Sequence, residues 1–221
     1  YFFYYSKIGM MKHYMCPLCS SNSVYKYNFR NRDYYQCTNC FSLFMGGQFL
    51  PSNNVERERY LEHNNDVYDV RYQQFVKPIT SAVQNDFSTN DSGLDFGGGT
   101  GPVITKVLTD KGFNIKDYDP FFNYRPELLD EAYDYIACCE VMEHFFDPLK
   151  EFRLLRKLLK RGGKLYCMTS LYRPSTDFKG WKYKDDPTHV FFYHRKALEF
   201  IREKAGFSSL VVQDKLIVFK G

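Results

Sequence analysis

Ten consecutive residues, Ser92-Gly-Leu-Asp-Phe-Gly-Gly-Gly-Thr-Gly101, constrain this 221-residue chain more than any other stretch. A short apolar strand, Ser92–Gly97, runs into glycines, and a helix over 102–111 follows, ending at Gly112. Gly97 and Gly99 let the backbone turn sharply and approach a ligand where a Cβ would clash, with Gly101 completing the spacing. A second strand, Phe113–Asp119, places an acid about twenty residues further on, where a carboxylate can accept from both hydroxyls of a ribose. Glycines alone are a weak signal; glycines between a strand and a helix, with that acid downstream, are a nucleotide site in its required context.

The remainder of 91–221 repeats the alternation. Tyr133–Met142 is continuous and apolar, as a strand covered on both faces is. Lys164–Ser170 follows, and Leu210–Lys220 splits at Asp214–Lys215 into a terminal hairpin. Asp147–Arg161 reads as a helix with Asp-Pro at its start, Phe152, Leu155, Leu158 and Leu159 on one face, and Gly162-Gly163 as its stop. Arg195–Lys204 is the last helix, stopped by Gly206. Strands and helices alternating with short loops imply an α/β fold: a parallel, Rossmann-like sheet with helices on both faces. Only fourteen residues separate Asp119 from Asp134. That is too few for a further helix and strand, so one βα unit is reduced or lost.

Ahead of this domain, residues 48–90 are polar, with helical stretches at 55–63 and 68–87, and read as a linker or lid. Residues 12–47 hold Cys16-Pro-Leu-Cys19 and Cys37-Thr-Asn-Cys40, seventeen residues apart. Two C-x-x-C turns on a hairpin supply the four thiolates of a closed, structural Zn2+ site, so this segment reads as a zinc ribbon. A piece so small has too little core to fold unaided, and zinc would contribute on the order of 10–16 kcal/mol. A redox dithiol or a pair of disulfides is the alternative. Cys138, Cys139 and Cys167 lie in apolar strands and read as buried packing, which implies a reducing, cytoplasmic setting.

A net charge of +4 is too mild to imply nucleic acid or an anionic membrane surface by itself. No run reaches the ~18 apolar residues of a membrane span. Tyr1–Met11 lacks the pattern of a signal peptide, and the first ten residues are expected to be an upstream extension or a mis-called start. The 19% aromatic content points to flat or amphipathic surfaces for a ligand.

Which nucleotide fits the glycine loop follows from charge. Asp95, two residues before Gly97, would repel a pyrophosphate but suits the ammonium of an amino-acid moiety, favouring S-adenosylmethionine over a nicotinamide cofactor. Asp95-x-Gly97-x-Gly99-x-Gly101 resembles the first motif of class I methyltransferases. Tyr118-Asp119-Pro120 resembles their ribose-binding strand end, Tyr133-Asp134-Tyr135-Ile136 leading to Glu140-Val141-Met142-Glu143-His144 their next motif, and Arg161-Gly162-Gly163-Lys164-Leu165 the segment before the fifth strand. Over its whole length the chain is similar to an uncharacterised bacterial group that joins a zinc ribbon to a compact methyltransferase domain. Arg161 stands where that pattern has proline, and the acid that commonly meets the adenine ring has no counterpart.

The resemblance implies that Asp95, Gly97, Gly99, Gly101 and Asp119 hold S-adenosylmethionine, with Cys139 and Glu140 beside it. His189, in an aromatic and acidic loop after the fourth strand, is the first candidate for a base or acceptor anchor; the alternative is that Asp186 and His189 cap the final helix or pair structurally. His144 is the second candidate, and with Glu140 and Glu143 it could form a divalent-metal cluster. Tyr60, Tyr68 and Tyr72 are candidate lid residues, and Arg153, Arg156, Lys157, Lys160 and Arg161 form a solvated face. The expected function is methyl transfer to a small metabolite, sugar or lipid-linked acceptor. The alternatives are an RNA methyltransferase gripping nucleic acid through the ribbon, whose basic residues are few (Lys12, Lys26, Arg30 and Arg32), and a non-catalytic binding module.

Overall fold

A computed structural model describes residues 14–63 and 65–221. The first ten residues and Lys12 lie outside the described residues.

The N-terminal hairpin pairs β1 (Ser23–Phe29) with β2 (Arg32–Cys37). It turns at Arg30 and Asn31, whose φ angles of 50° and 61° give the double left-handed turn that matches the twist of the flanking strands. β3 (Leu43–Met45) adds to β2. The fourth strand of this sheet comes from far along the chain: β8 (Phe191–Phe192) pairs with β3, Leu43 opposite Phe192 and Phe44 opposite Phe191.

Three helices follow: α1 (Asn53–Leu61), α2 (Val70–Phe75) and α3 (Lys77–Asp86). The continuous helix expected over 68–87 breaks at Val76, where Pro78 opens the next helix without an N–H to donate.

The main sheet has six strands in the order β5 (Asn114–Tyr118), β4 (Ser92–Phe96), β6 (Tyr133–Cys139), β7 (Leu159–Met168), β10 (Leu216–Lys220) and β9 (Ser209–Gln213). The first four are mutually parallel, and β10 and β9 form the expected terminal hairpin, in which β10 alone runs antiparallel to the other strands. Alternation along each strand divides two apolar layers. Tyr135, Ala137, Tyr166 and Met168 meet Ile79 and Val83 of α3 and Ile104 and Leu108 of α4 (Val103–Thr109). Leu94, Ile136, Cys138, Leu165 and Cys167 meet α5 (Pro148–Leu158) and α6 (Arg195–Ala205) on the other face. That second layer runs without interruption into Tyr34, Phe44 and the ribbon cysteines.

The lost unit is confirmed: between β5 and β6 there is only a bridge from Asp119 to Asn123 and a turn of 3-10 helix, Pro126–Asp130. β5 is therefore an edge strand, and the loop that replaces the missing unit caps it. Asn123 Nδ2 and Arg125 both donate to the carbonyl of Asp117, at 3.1 and 2.8 Å, which blunts the edge against pairing with another chain.

One boundary differs from expectation. The helix predicted to reach Arg161 ends at Leu158, and β7 begins at once with Leu159, which pairs with Tyr133. Leu159 is apolar at helical spacing, but burial in the sheet register serves it equally well, and period alone does not separate the two. The final helix also settles the capping alternative: its N-cap is His194, whose side chain accepts from the N–H of Lys196 at 3.2 Å, and not Asp186 or His189.

Candidate functional site

The carboxyl ends of β4, β5 and β6 open into a cleft of about 1060 Å³, roofed by α1, α2 and the loop over 182–189. Parallel sheets place ligand crevices at this edge because strand ends and loops converge there.

At its floor Gly97 and Gly99 have φ of 85° and 65°, a region that a side chain rarely adopts. The turn aims the N–H of Gly99 at Asp119 Oδ2, 2.9 Å away. Asp119 Oδ1 accepts from the N–H groups of Phe121 and Phe122, at 2.8 and 3.0 Å. Three backbone donors thus fix the carboxylate in the cleft wall, with lone pairs left for a ligand. Gly101 lies off the wall and works by close approach: a Cβ there would sit 1.8 Å from the carbonyl oxygen of Asn65, so only glycine lets the segment after α1 cross the loop.

Asp95 takes a different place from the one its position suggested. Its neighbours Leu94 and Phe96 point to the α5 side, so Asp95 points to α4, beneath the glycine loop and off the cleft wall. Its Oδ2 accepts from the Thr105 N–H and hydroxyl at 3.2 and 3.0 Å. Burial pushes the carboxyl up to about 7, the Thr105 hydrogen bonds only partly countering. Asp95 braces the start of α4.

Cys139 and Glu140 line the cleft. Glu140 has a φ of 52°, a left-handed conformation uncommon outside glycine and found at ligand sites. Its N–H is held by Met168 O at 2.9 Å, and burial raises its carboxyl above the ordinary value.

His144 and His189, from separate loops, come together: their ring centroids are 4.8 Å apart, edge to face. His144 Nδ1 lies 2.9 Å from Thr188 O, and His189 Nδ1 2.6 Å from Tyr183 O. Burial, then the neighbouring His189, pushes His144 down to about 3; burial lowers His189 as well. Behind them Glu143 is fully enclosed, accepting from the hydroxyls of Tyr183 and Thr169. Burial and the adjacent Glu140 raise it to about 8.

Asp186 joins the roof to this wall. It accepts from Arg59 Nε at 2.9 Å, from Thr188 N at 2.9 Å and from the Thr188 hydroxyl at 2.6 Å, with His63 Nε2 at 3.5 Å. Burial alone would raise its carboxyl, but the His63 and Thr188 hydrogen bonds outweigh it and hold it below the usual range. Tyr60 and Tyr72 line the cleft and Tyr60 packs edge-on against His144; Tyr68 is exposed, with Lys106 over its ring. Arg59, His63 and Asn65 gave no sequence signal, since each sits in a polar stretch whose partners are remote in sequence.

In the ribbon the four cysteine sulfurs lie within 4.8 Å of one another, with Cys16–Cys40 at 3.7 Å and Cys19–Cys37 at 3.4 Å. A tetrahedron of ~2.3 Å metal–sulfur bonds needs sulfurs ~3.8 Å apart, so the donor set fits Zn2+. Ser20 and Phe41, just after each C-x-x-C, are left-handed, and the Cys37 sulfur accepts N–H bonds from Asn39 and Cys40. The ribbon backs the cleft loop: Lys184 is buried with its ammonium 3.8 Å from the Phe29 ring centroid, and Phe178 stacks on Tyr27. Among the described residues no helix is long and apolar enough to cross a membrane.

Residues 64–212 match a family described as a methyltransferase domain. Comparison with curated protein sequences finds no match. Solved structures with a similar fold include an O-methyltransferase family protein from Burkholderia thailandensis, at TM-score 0.52 and 13% identity over 75% of this chain and 62% of that one. Phosphoethanolamine N-methyltransferase 2 of Haemonchus contortus, in complex with S-adenosyl-L-methionine, aligns at 0.53 and 16% over 72% and 42%. A SAM dependent methyltransferase from Archaeoglobus fulgidus aligns at 0.50 and 16% over 68% and 99%. At these identities the likeness is one of fold, and the chain spans less than two thirds of the first two proteins.

Proposed function

The chain belongs to this methyltransferase-domain family, and from that premise we propose that it transfers a methyl group from S-adenosylmethionine to a small-molecule acceptor. The observation that carries the reading is the Asp119 carboxylate, fixed in the cleft wall by the Gly99 N–H at 2.9 Å. It is positioned to accept from the ribose hydroxyls of the donor, while the glycine turn leaves room for the donor's amino-acid end. Phe121, Phe122 and Phe145 line the same cleft and offer ring faces for the adenine.

The cofactor supplies an electrophilic sulfonium methyl. The protein's part is to hold an acceptor atom ~3 Å from that methyl, in line with the bond that breaks. Cys139 and Glu140 border the place where the two would meet, and His144 and His189 close its far side. A cleft of about 1060 Å³ suits a nucleoside-sized cofactor with a small acceptor. The small-molecule acceptor is preferred over RNA because the ribbon holds few basic residues and the net charge is only +4. The ribbon is assigned structural zinc, since its four sulfurs leave no position for substrate.

Calorimetric titration of the zinc-loaded chain tests the assignment. S-adenosylmethionine and S-adenosylhomocysteine should bind and NADH should not. A folded chain that binds neither of the first two would overturn it and leave a non-catalytic module as the better account. RNA binding that weakens steeply with salt would revive the RNA alternative.

A further inference from the structure

The far wall of the cleft carries a second set of converging donors. One ligand atom each from Glu143, His144 and His189 lies within 4.8 Å of the others. We propose that these three residues form a binding site for a divalent first-row transition cation, separate from the ribbon zinc and open on its cleft side to an oxygen of the methyl acceptor. The cation site stands on its own observations; the role toward the acceptor rests on the methyltransferase reading.

The two imidazoles are set up as ligands by what lies behind them. His144 Nδ1 faces the Thr188 carbonyl and His189 Nδ1 the Tyr183 carbonyl. A carbonyl only accepts, so in both rings the Nδ1 carries the proton and the Nε2 presents a lone pair. A backbone carbonyl on the distal ring nitrogen is the usual outer support of a metal-bound histidine, fixing both tautomer and ring plane. Among the described residues no protein donor reaches either Nε2. His189 is only 7% exposed, and its unpartnered Nε2 points at Glu143 Oε1, 3.9 Å away.

Glu143 supplies the third argument. Its side chain is fully enclosed and receives two neutral hydroxyls, from Tyr183 and Thr169. Among the described residues no lysine or arginine pairs with it. A buried carboxyl with no cationic partner, set 3.9 Å from the His189 Nε2 lone pair, gains charge compensation only from a cation bound between them. The hydroxyls then act as the outer supports of a ligating carboxylate. Bonds of ~2.1 Å place neighbouring donors about 3.0 Å (octahedral) to 3.4 Å (tetrahedral) apart, so ligation would draw His189 Nε2 and Glu143 Oε1, now 3.9 Å apart, closer together.

The donor chemistry narrows the ion. Two imidazoles and one carboxylate suit Mn2+, Fe2+, Co2+ or Zn2+ better than the all-oxygen preference of Mg2+ or Ca2+. Three protein ligands leave positions free, and both histidines line the cleft, so those positions would open into it. An acceptor hydroxyl bound there becomes more acidic. Its proton passes to water, and the new O–C bond forms as the S–C bond of the sulfonium breaks. The electron pair of that S–C bond stays on sulfur, which leaves as the neutral thioether.

The test uses the full chain with its ribbon already loaded with one equivalent of zinc and the excess removed. Mn2+ is then titrated and followed by the loss of its free six-line paramagnetic resonance signal, a hard ion that four thiolates do not recruit. One Mn2+ per chain is expected, with binding weakened more than tenfold in both Glu143→Gln and His189→Gln. Bound Mn2+ should also enhance water-proton relaxation, the sign of open coordination positions. Circular dichroism and S-adenosylhomocysteine binding show that each variant is folded; if one is not, the other carries the test. No stoichiometric Mn2+ binding by the folded wild type at millimolar ion, or binding unchanged in a folded variant, overturns the site. Mn2+ binding by a chain that ignores S-adenosylhomocysteine would leave the site standing and remove the methyltransferase reading.

Discussion

At the scale of single residues, two carboxylates near the glycine loop have opposite duties. Asp119 faces the cleft and Asp95 supports from beneath. Asp119→Ala is expected to weaken S-adenosylhomocysteine binding by roughly 10- to 100-fold, the loss of one charge-assisted hydrogen-bonding group, read by calorimetry. Asp95 should instead mark the pH dependence of stability. Its folded value of about 7 lies above its ordinary 3.8, so between those limits the folded state binds more protons than the unfolded, and stability falls as pH rises. Asp95→Asn removes that titration. Wild-type stability relative to the variant should therefore drop by up to about 4 kcal/mol from pH 4 to pH 8, measured by urea unfolding. A flat difference would mean the Asp95 carboxyl is not buried as described. The sequence exposed both acids, because spacing from the glycines marks them. It did not show the face that Asp95 takes, because strand alternation decides that, and the ends of β4 show their faces only once α4 and α5 are in place.

At the scale of elements, the roof is held partly by a half-buried ion pair between pieces distant in sequence. Arg59 of α1 meets Asp186 of the cleft loop at 2.9 Å, 127 positions apart. Arg59→Ala should loosen the roof and raise the dissociation rate of S-adenosylhomocysteine about tenfold, with a smaller change in association rate, as stopped-flow displacement would show. An unchanged dissociation rate would make α1 a bystander. The polar composition of 48–90 revealed helices but not what they cover, since α1 buries Glu56 and half-buries Arg59 where a periodic pattern would ask for apolar residues. The strand Phe191–Phe192 was equally hidden, because two residues are too short to display a period. The missing βα unit, by contrast, was legible from length alone.

At the scale of the whole molecule, the four cysteines predicted a ribbon, but not its joining to the rest. One apolar cluster runs from Cys16 and Tyr34 through Phe178 and Phe192 to Phe152 and Phe219. The zinc-loaded chain should therefore melt in a single calorimetric transition, and chelation should lower the midpoint of that whole transition. Two separated transitions, with only the lower one sensitive to chelator, would contradict this continuity. The pairing of β3 with β8 also has a consequence in time. His194 N–H reaches back to Ser42 Oγ across 152 positions, and a ribosome adding ~5–20 residues per second needs roughly 8–30 s to span that distance. Through that interval the nascent ribbon waits with Leu43 and Phe44 on an unpaired edge. The edge is only three residues long, which leaves a passing chain little to grip before Phe191 and Phe192 arrive to close it.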